Sequence, residues 1–347
     1  MVGNSPVAAP RRLAGLVALV IITLSSSGCG TTSWQTPGGG IATGKIDFQK
    51  EPVTGRTYHL YVPRSYDPGR SYPLVISAHG TFPFDHALTQ RDRWADVAER
   101  YQMIVCAPDF DSANGLLNIP VDHPAPELLR DEAATLRIIE QLKARYNIRP
   151  HATMITGWSG GGYPAHFIGL RHPDLFRCIV SRAANFSPLL VSEEVASRAR
   201  HMHVYIFYGM FDLPGFKSIA QNAHFWYARR GFQNATMREL PSGHDPHQDE
   251  AARYFARILQ HHPAVTLKAT YVAGDNPRMV RFRALVKDPD ARPGESPRVV
   301  WDFGDHAKGE GIMTKHGYAL ARTYNVLVSV TDASGHRECA QAHYKIR

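Results

Sequence analysis

Ser159 sits between glycines in the run Gly157-Trp158-Ser159-Gly160-Gly161, just after the apolar residues 152–156 and just before a helix-like stretch. A serine at the end of a strand, on a turn too tight for neighbouring side chains, holds its hydroxyl out of the sheet. The amides that open the following helix face it, and with the helix dipole they favour an oxyanion forming there. The chemistry such a serine suits is nucleophilic attack on a carbonyl carbon. A serine hydroxyl is a weak nucleophile at its own pKa, so it needs a base and a group to orient that base. The pattern is short and the chain holds 28 glycines; a solvated serine in a glycine-rich loop carries the same letters, and the partners must decide.

Two downstream segments supply them. The strand-like run 203–208 leads into Gly209-Met210-Phe211-Asp212, and the run 235–240 leads into Pro241-Ser242-Gly243-His244. An acid and an imidazole thus each follow a strand through a turn, in the order Ser159, Asp212, His244, which is the order of an α/β-hydrolase. In that arrangement His244 takes the serine proton and Asp212 orients the imidazole. Other assignments stay open. Asp212 before Leu213-Pro214 also suits a plain turn. His247 is a second candidate base among 18 histidines. His244, His247, Asp249 and Glu250 together have the composition of a metal cluster, although Pro246 between the histidines argues against a helical ligand pair. The backbone amides of Gly160 and Thr81 are the candidate oxyanion donors, Thr81 lying in the loop His79-Gly80-Thr81 that follows a strand. His79 is expected to brace that loop. Trp158 either lines a substrate pocket or packs beneath the turn.

The elements that must position these groups alternate. Residues 45–49 and 57–62 read as two antiparallel strands joined at Thr54-Gly55. Residues 73–78, 103–107, 152–156, 178–182, 203–208 and 235–240 read as further strands. Trp94, Val97, Ala98 and Tyr101 recur at helical spacing, as do Leu136, Ile139, Leu142 and Tyr146. Strands alternating with helices imply a mostly parallel sheet covered on both faces, with function gathered at the carboxyl ends of the strands. Beyond residue 264 the helical period disappears. Runs 265–272, 279–286, 298–301, 324–330 and 342–346 read as short strands, and Val326, Val328 and Val330 alternate onto one buried face. The expected architecture is an α/β domain over residues 44–263 followed by a small all-β, Ig-like sandwich over 264–347.

The chain has 347 residues, 44% of them hydrophobic, enough for two domains with sizeable cores. Its formal net charge of +8 is dispersed, with no long Lys/Arg run and no nucleic-acid motif. It reads as surface charge suited to anionic envelopes or polymers, with no nucleic-acid partner. Arg11-Arg12 precede the apolar residues 13–24 and then Ser25-Ser26-Ser27-Gly28-Cys29, the layout of an export signal. The apolar run is shorter than the ~20 residues of a spanning helix. Small residues leading to a cysteine resemble a bacterial lipobox, with Ser26 where leucine is usual. Residues 1–29 are then a signal, Cys29 carries the lipid, and 30–43 form a flexible tether. Plain secretion after cleavage is the alternative. The expected location is the bacterial cell envelope or outside the cell, with membrane contact only through a lipid anchor. Cys106, Cys178 and Cys339 read as small buried hydrophobes, the first two on strands set apart in the sheet.

Residues 44–263 resemble the polyhydroxybutyrate depolymerase/feruloyl esterase branch of the α/β-hydrolases. The resemblance rests on His79-Gly80, Trp94-Ala95-Asp96-Val97-Ala98, Ala107-Pro108-Asp109, the Ser159 motif with Gly162, His172-Pro173-Asp174-Leu175-Phe176, Gly209-x-x-Asp212 and Gly243-His244. It implies an esterase-type serine hydrolase with Ser159, Asp212 and His244 as its triad. Two positions depart from the family pattern: Thr81-Phe82-Pro83 follows His79-Gly80 where another glycine is usual, and Trp158 precedes the serine. The C-terminal region is similar to a PKD domain, on Trp301-Asp302-Phe303-Gly304-Asp305, Arg322-Thr323-Tyr324 and Val328-Ser329-Val330-Thr331-Asp332-Ala333-Ser334-Gly335. His306 stands where that family usually has glycine, so an altered turn is expected there. The resemblance implies a spacer or polymer-contact module.

Taken together, the residues point to an exported serine esterase that needs no metal or organic cofactor. Its expected substrate is an ester on an extracellular polyester or acylated polysaccharide, or on fragments of one. A serine peptidase of the prolyl-oligopeptidase kind uses the same three residues. A non-catalytic surface lipoprotein would use the fold as a scaffold. Residues 120–129 are a candidate loop over the site.

Overall fold

Apolar strands alternating with amphipathic helices build one eight-stranded sheet in the computed structural model, which describes residues 41–113, 125–272 and 278–346. The strands are β1 (Gly44–Lys50), β2 (Thr57–Val62), β3 (Tyr72–Ala78), β4 (Ile104–Pro108), β5 (Ile148–Ser159), β6 (Cys178–Ala184), β7 (His203–Gly209) and β8 (Asn234–Leu240). Their order across the sheet is β1-β2-β4-β3-β5-β6-β7-β8. β2 pairs antiparallel with both β1 and β4, and every pairing from β4 through β3 to β8 is parallel.

The sheet is buried on both faces, which is why its strands read as near-continuous apolar runs. Successive side chains point to opposite sides, so Leu74 and Ile76 enter one core and Val75 the other. The first core is closed by α2 (Pro126–Arg145), α3 (Gly162–Arg171), α4 (Glu193–Arg198) and α5 (Phe216–Arg229), through Ile138, Phe167, Ala196 and Tyr227. The second is closed by α1 (Ala87–Tyr101) and α6 (Gln248–His261), through Trp94, Ala98, Phe255 and Ile258. The buried stripe of α2 runs through Leu128, Thr135, Ile138, Ile139 and Leu142, and Leu136 is only half-buried. Residues 126–129 belong to this helix and not to a loop over the site; residues 120–124 of that expected loop lie outside the described residues. So do the leader, Cys29 and the tether up to residue 40.

Cys106 on β4 and Cys178 on β6 are separated in the sheet by β3 and β5, and they face opposite cores. Both are free thiols, as is Cys339, and burial raises the pKa of each.

After α6 the architecture changes. β9 (Ala264–Tyr271), β10 (Met279–Lys287) and β13 (Met313–Gly317) form a three-stranded sheet. β12 (Lys308–Glu310), β11 (Arg298–Asp302), β14 (Thr323–Thr331) and β15 (Arg337–Lys345) form a four-stranded one. Every pairing is antiparallel. Between them lie Val280, Phe282, Trp301, Phe303, Val326, Val328 and Val330. The sequence pattern did not mark β12 and β13, because neither strand buries a residue fully. β15 begins at Arg337 and not at residue 342; its first residues are charged and carry no strand signal. An altered turn was expected at His306. The histidine adopts φ +73°, the left-handed conformation that glycine enters most easily.

The charged start of β15 is explained by what it meets. Glu338 is buried, and its Oε2 accepts from Arg177 Nη2 at 2.8 Å and from His203 Nε2 at 2.7 Å. Burial alone would raise the pKa of this carboxyl. The charges of His203 and Arg177 override it and hold the group at about 2, from a usual 4.5. A depressed carboxylate pKa stabilises the folded state above the unfolded value, and that contribution disappears as pH falls from 4.5 towards 2. Thermal unfolding of the wild type should therefore weaken over this interval. Glu338→Gln should be less stable at pH 7 by about 3–5 kcal/mol, because it strands the guanidinium of Arg177, and should lose part of the acid dependence. Calorimetry of both proteins between pH 7 and 2.5 checks this; parallel pH profiles would contradict it.

Candidate active site

The turn carrying Ser159 is built from backbone contacts that leave no room for side chains. A Cβ at Gly157 would lie 2.0 Å from Gly161 O, and one at Gly161 would lie 2.4 Å from His79 O. The glycines are required by close approach, since neither takes a positive φ. Ser159 does, at +50°, a conformation that costs a non-glycine residue roughly 1–2 kcal/mol. It is held by Gly161 N donating to Trp158 O at 2.8 Å and by Asn185 N donating to Ser159 O at 2.8 Å. This is the strained turn between β5 and α3 that places a serine at the rim of the sheet.

The loops after β7 and β8 are laced together in the same way. A Cβ at Gly209 would lie 2.1 Å from Gly243 O. Met210 N donates to Leu240 O at 2.7 Å and Phe211 N to Ser242 O at 2.9 Å. Asp212 and His244 meet as a result: His244 Nδ1 lies 2.6 Å from Asp212 Oδ1, and the Asp212 side chain is 2% exposed. Leu213 N and Gly209 N also donate to this carboxylate, at 2.7 and 3.2 Å. With Nδ1–H given to the acid, Nε2 of His244 keeps its lone pair for another proton. The ring stands between Phe216, at 4.4 Å between centroids, and Trp158, at 5.3 Å. The imidazole therefore lies against the residue that precedes Ser159.

The other sequence candidates fall elsewhere. His247 Nε2 shares a hydrogen bond with Ser242 Oγ at 2.7 Å. Asp249 faces Arg100 and Arg253, and Glu250 accepts from the Tyr205 hydroxyl and pairs with Arg238. Those carboxylates are occupied by cations and a phenol, and do not face His244 or His247 as a ligand set.

Thr81 and Gly160 come together. A Cβ at Gly160 would lie 2.5 Å from Thr81 Oγ1 and 3.3 Å from Thr81 N. Among the described residues neither amide donates to a protein acceptor, so both are available to an oxygen placed beside Ser159. The loop that carries Thr81 is braced from behind. His79 Nε2 accepts from Phe110 N at 3.0 Å, which leaves Nδ1–H to donate to Gly80 O at 2.7 Å. Gly80 N donates to the buried Asp85 Oδ2 at 2.7 Å. Trp158, 8% exposed, packs between Gly80, His244 and the guanidinium of Arg93, which sits 5.0 Å from its ring. Around this centre Phe82 and Phe84 on the Thr81 loop and Met210, Phe211 and Leu213 on the Asp212 loop are large, apolar and exposed.

Sequence reasoning overlooked Arg182, which is fully buried beside the turn in register with Trp158. A signal was present: it is the one charged residue in the apolar strand 178–184.

The fold is that of the α/β-hydrolases, with an acid–imidazole pair and, among the described residues, two amides without a protein acceptor gathered at the rim of the parallel strands. The Esterase family model matches residues 51–279, and the chain belongs to that family. Residues 261–347 match the PKD domain model. A bifunctional acetylxylan esterase/xylanase from Neocallimastix patriciarum is 26% identical over 116 residues, covering 33% of this chain and 16% of that protein's length. Two solved structures are similar at lower identity. A CE1 ferulic acid esterase from Anaeromyces mucronatus is 19% identical with a TM-score of 0.47, over 65% of this chain and 93% of its own. A fluorophosphonate-binding serine hydrolase from Staphylococcus aureus is 16% identical with a TM-score of 0.49, over 62% of this chain and 99% of its own.

The crowding at Gly160 makes a direct test. Gly160→Ala would push a methyl group against Thr81 Oγ1 and Ala113 O and displace the amide pair. Its kcat on p-nitrophenyl acetate should fall by about 10²–10³, as for loss of an oxyanion donor. Thr81→Ala keeps its amide and should lose less than about tenfold.

Proposed function

We propose that this chain is an exported serine esterase that cleaves its substrate through an acyl-enzyme on Ser159. The observation that carries the reading is the part-buried Asp212–His244 pair standing against the residue that precedes a strained serine. Ser159 Oγ attacks the ester carbonyl as His244 Nε2 takes its proton. The developing oxyanion is held by the amides of Gly160 and Thr81. His244 returns the proton to the leaving alcohol, and Asp212 keeps the imidazole in the right tautomer and offsets its charge. Water activated by the same imidazole then releases the acid, and no metal or organic cofactor enters any step.

The substrate class is an ester on an extracellular polymer or its fragments. Three features support this: a leader with the layout of an export signal, the apolar rim of Phe82, Phe84 and Phe211 around the site, and the acetylxylan esterase named among the relatives. The leader's Gly28-Cys29 boundary supports a lipid anchor on Cys29.

A fluorophosphonate probe should label the wild type at Ser159. Ser159→Ala should lose both labelling and p-nitrophenyl ester turnover. Asp212→Asn should retain the fold and drop kcat by about 10⁴. A substrate panel of acetylated and feruloylated sugars, polyhydroxybutyrate and peptide amides should show turnover among the esters. Labelling at another residue, or faster cleavage of the amides, would overturn the reading.

A further inference from the structure

Among the described residues, Arg182 is a large buried cation of the α/β core that no carboxylate touches. It lies on β6 and is 0% exposed. Four of its N–H groups are given to neutral oxygens that belong to different parts of the site. Nε donates to Thr156 Oγ1 at 2.9 Å, on the strand that ends in Ser159. Nη1 donates to Pro246 O at 3.1 Å, two residues beyond His244. Nη2 donates to Ser77 Oγ at 3.1 Å and to Gln90 Oε1 at 2.9 Å. Gln90 continues the chain, its Nε2 donating to Asp85 Oδ2 at 2.7 Å, and the same oxygen receives Gly80 N at 2.7 Å. One planar fork thus reaches the serine strand and the histidine loop directly, and the Thr81 loop through one amide and one carboxylate.

A buried guanidinium without an acid partner is costly to keep. Burial draws its pKa down to about 9, with Asp85 opposing, so the group stays cationic at neutral pH. The five donors of a guanidinium lie in a rigid plane, and an ammonium offers no such spacing. Apolar packing would hold β6 in the sheet at lower cost. What it would not do is set the distance between three loops that come from separate strands.

We propose that Arg182 is a positioning residue that fixes the His244 loop, the Ser159 strand and the Thr81 loop against one another. The inference rests on the mechanism proposed above. It predicts that loss of the fork leaves substrate binding intact and slows the chemical step, because displacements of about 1 Å in reacting groups cost on the order of 10² in rate.

The test compares wild type with Arg182→Lys, Arg182→Met and Thr156→Val. Each is checked for folding by circular dichroism and thermal unfolding, then assayed well below its unfolding midpoint. Arg182→Lys keeps the charge and loses the fork. Its kcat should fall by roughly 30-fold or more while KM changes less than about threefold, and the rate of fluorophosphonate labelling should fall by the same factor. Thr156→Val removes one acceptor and leaves the arginine in place; a loss of roughly three- to tenfold in kcat is expected. Should Arg182→Met fail to fold, these two variants carry the test. Combining Arg182→Lys with Gln90→Met should cost less than the product of the single effects, since both act through one network. Unchanged kcat in folded Arg182→Lys and Thr156→Val, with only a lowered unfolding midpoint, would overturn the inference and reduce Arg182 to a structural role. Wild-type protein that no fluorophosphonate labels would instead overturn the serine mechanism itself.

Discussion

Backbone segments approach one another at the rim of the sheet more closely than any side chain allows, and the site depends on that approach. Gly157 meets Gly161, Gly161 meets His79, Gly160 meets Thr81, and Gly209 meets Gly243. Each contact joins elements that are distant or sharply folded in the chain. Their sum brings one strained serine, two amides with no acceptor among the described residues and an acid–imidazole pair into one neighbourhood. The site owes its arrangement to main-chain packing first. The reactive side chains are carried into place by it.

Around this centre the chain buries charge in two ways. Glu338 is held between the Arg177 guanidinium and the His203 imidazole and kept ionised there. Arg182 is surrounded by neutral oxygens, with Asp85 one amide removed. A buried ion pair contributes little net stability against an apolar equivalent, yet breaking one is expensive. Such groups constrain geometry more than they add free energy. Glu338 does so between the two domains, and Arg182 among loops within one of them.

Much of the α/β layer could be read from residue types. β3, β4, β6, β7 and β8 fall within about two residues of the apolar runs that announced them, and the stripe through Trp94, Val97 and Ala98 is the buried face of α1. The carboxyl ends of β5, β7 and β8 carry Ser159, Asp212 and His244 because function on parallel sheets collects there. What escaped was structure without an apolar period. β12 and β13 are short strands that alternate exposed and half-buried residues, joined by ladder hydrogen bonds and by His316 stacking on Phe303, and the charged start of β15 is buried by an ion pair that spans domains. The α2 stripe holds at Ile139, Leu142 and Tyr146, while Leu136 lies at the edge of a face that Leu128 and Ile138 complete. Arg182 broke the pattern of an apolar strand, and such a break marks where local preference gives way to the site.

Only His262 and Pro263 separate α6 from β9, and Pro263 O accepts a hydrogen bond from Arg177 at 2.9 Å, the arginine that also holds Glu338. A connection this short and this tied restricts the swing between the two modules. Anything gripped by the sandwich would meet the hydrolase at a set angle and span, so a gain from holding two points on one long molecule would depend on whether its contour matches that span, in the manner of a caliper.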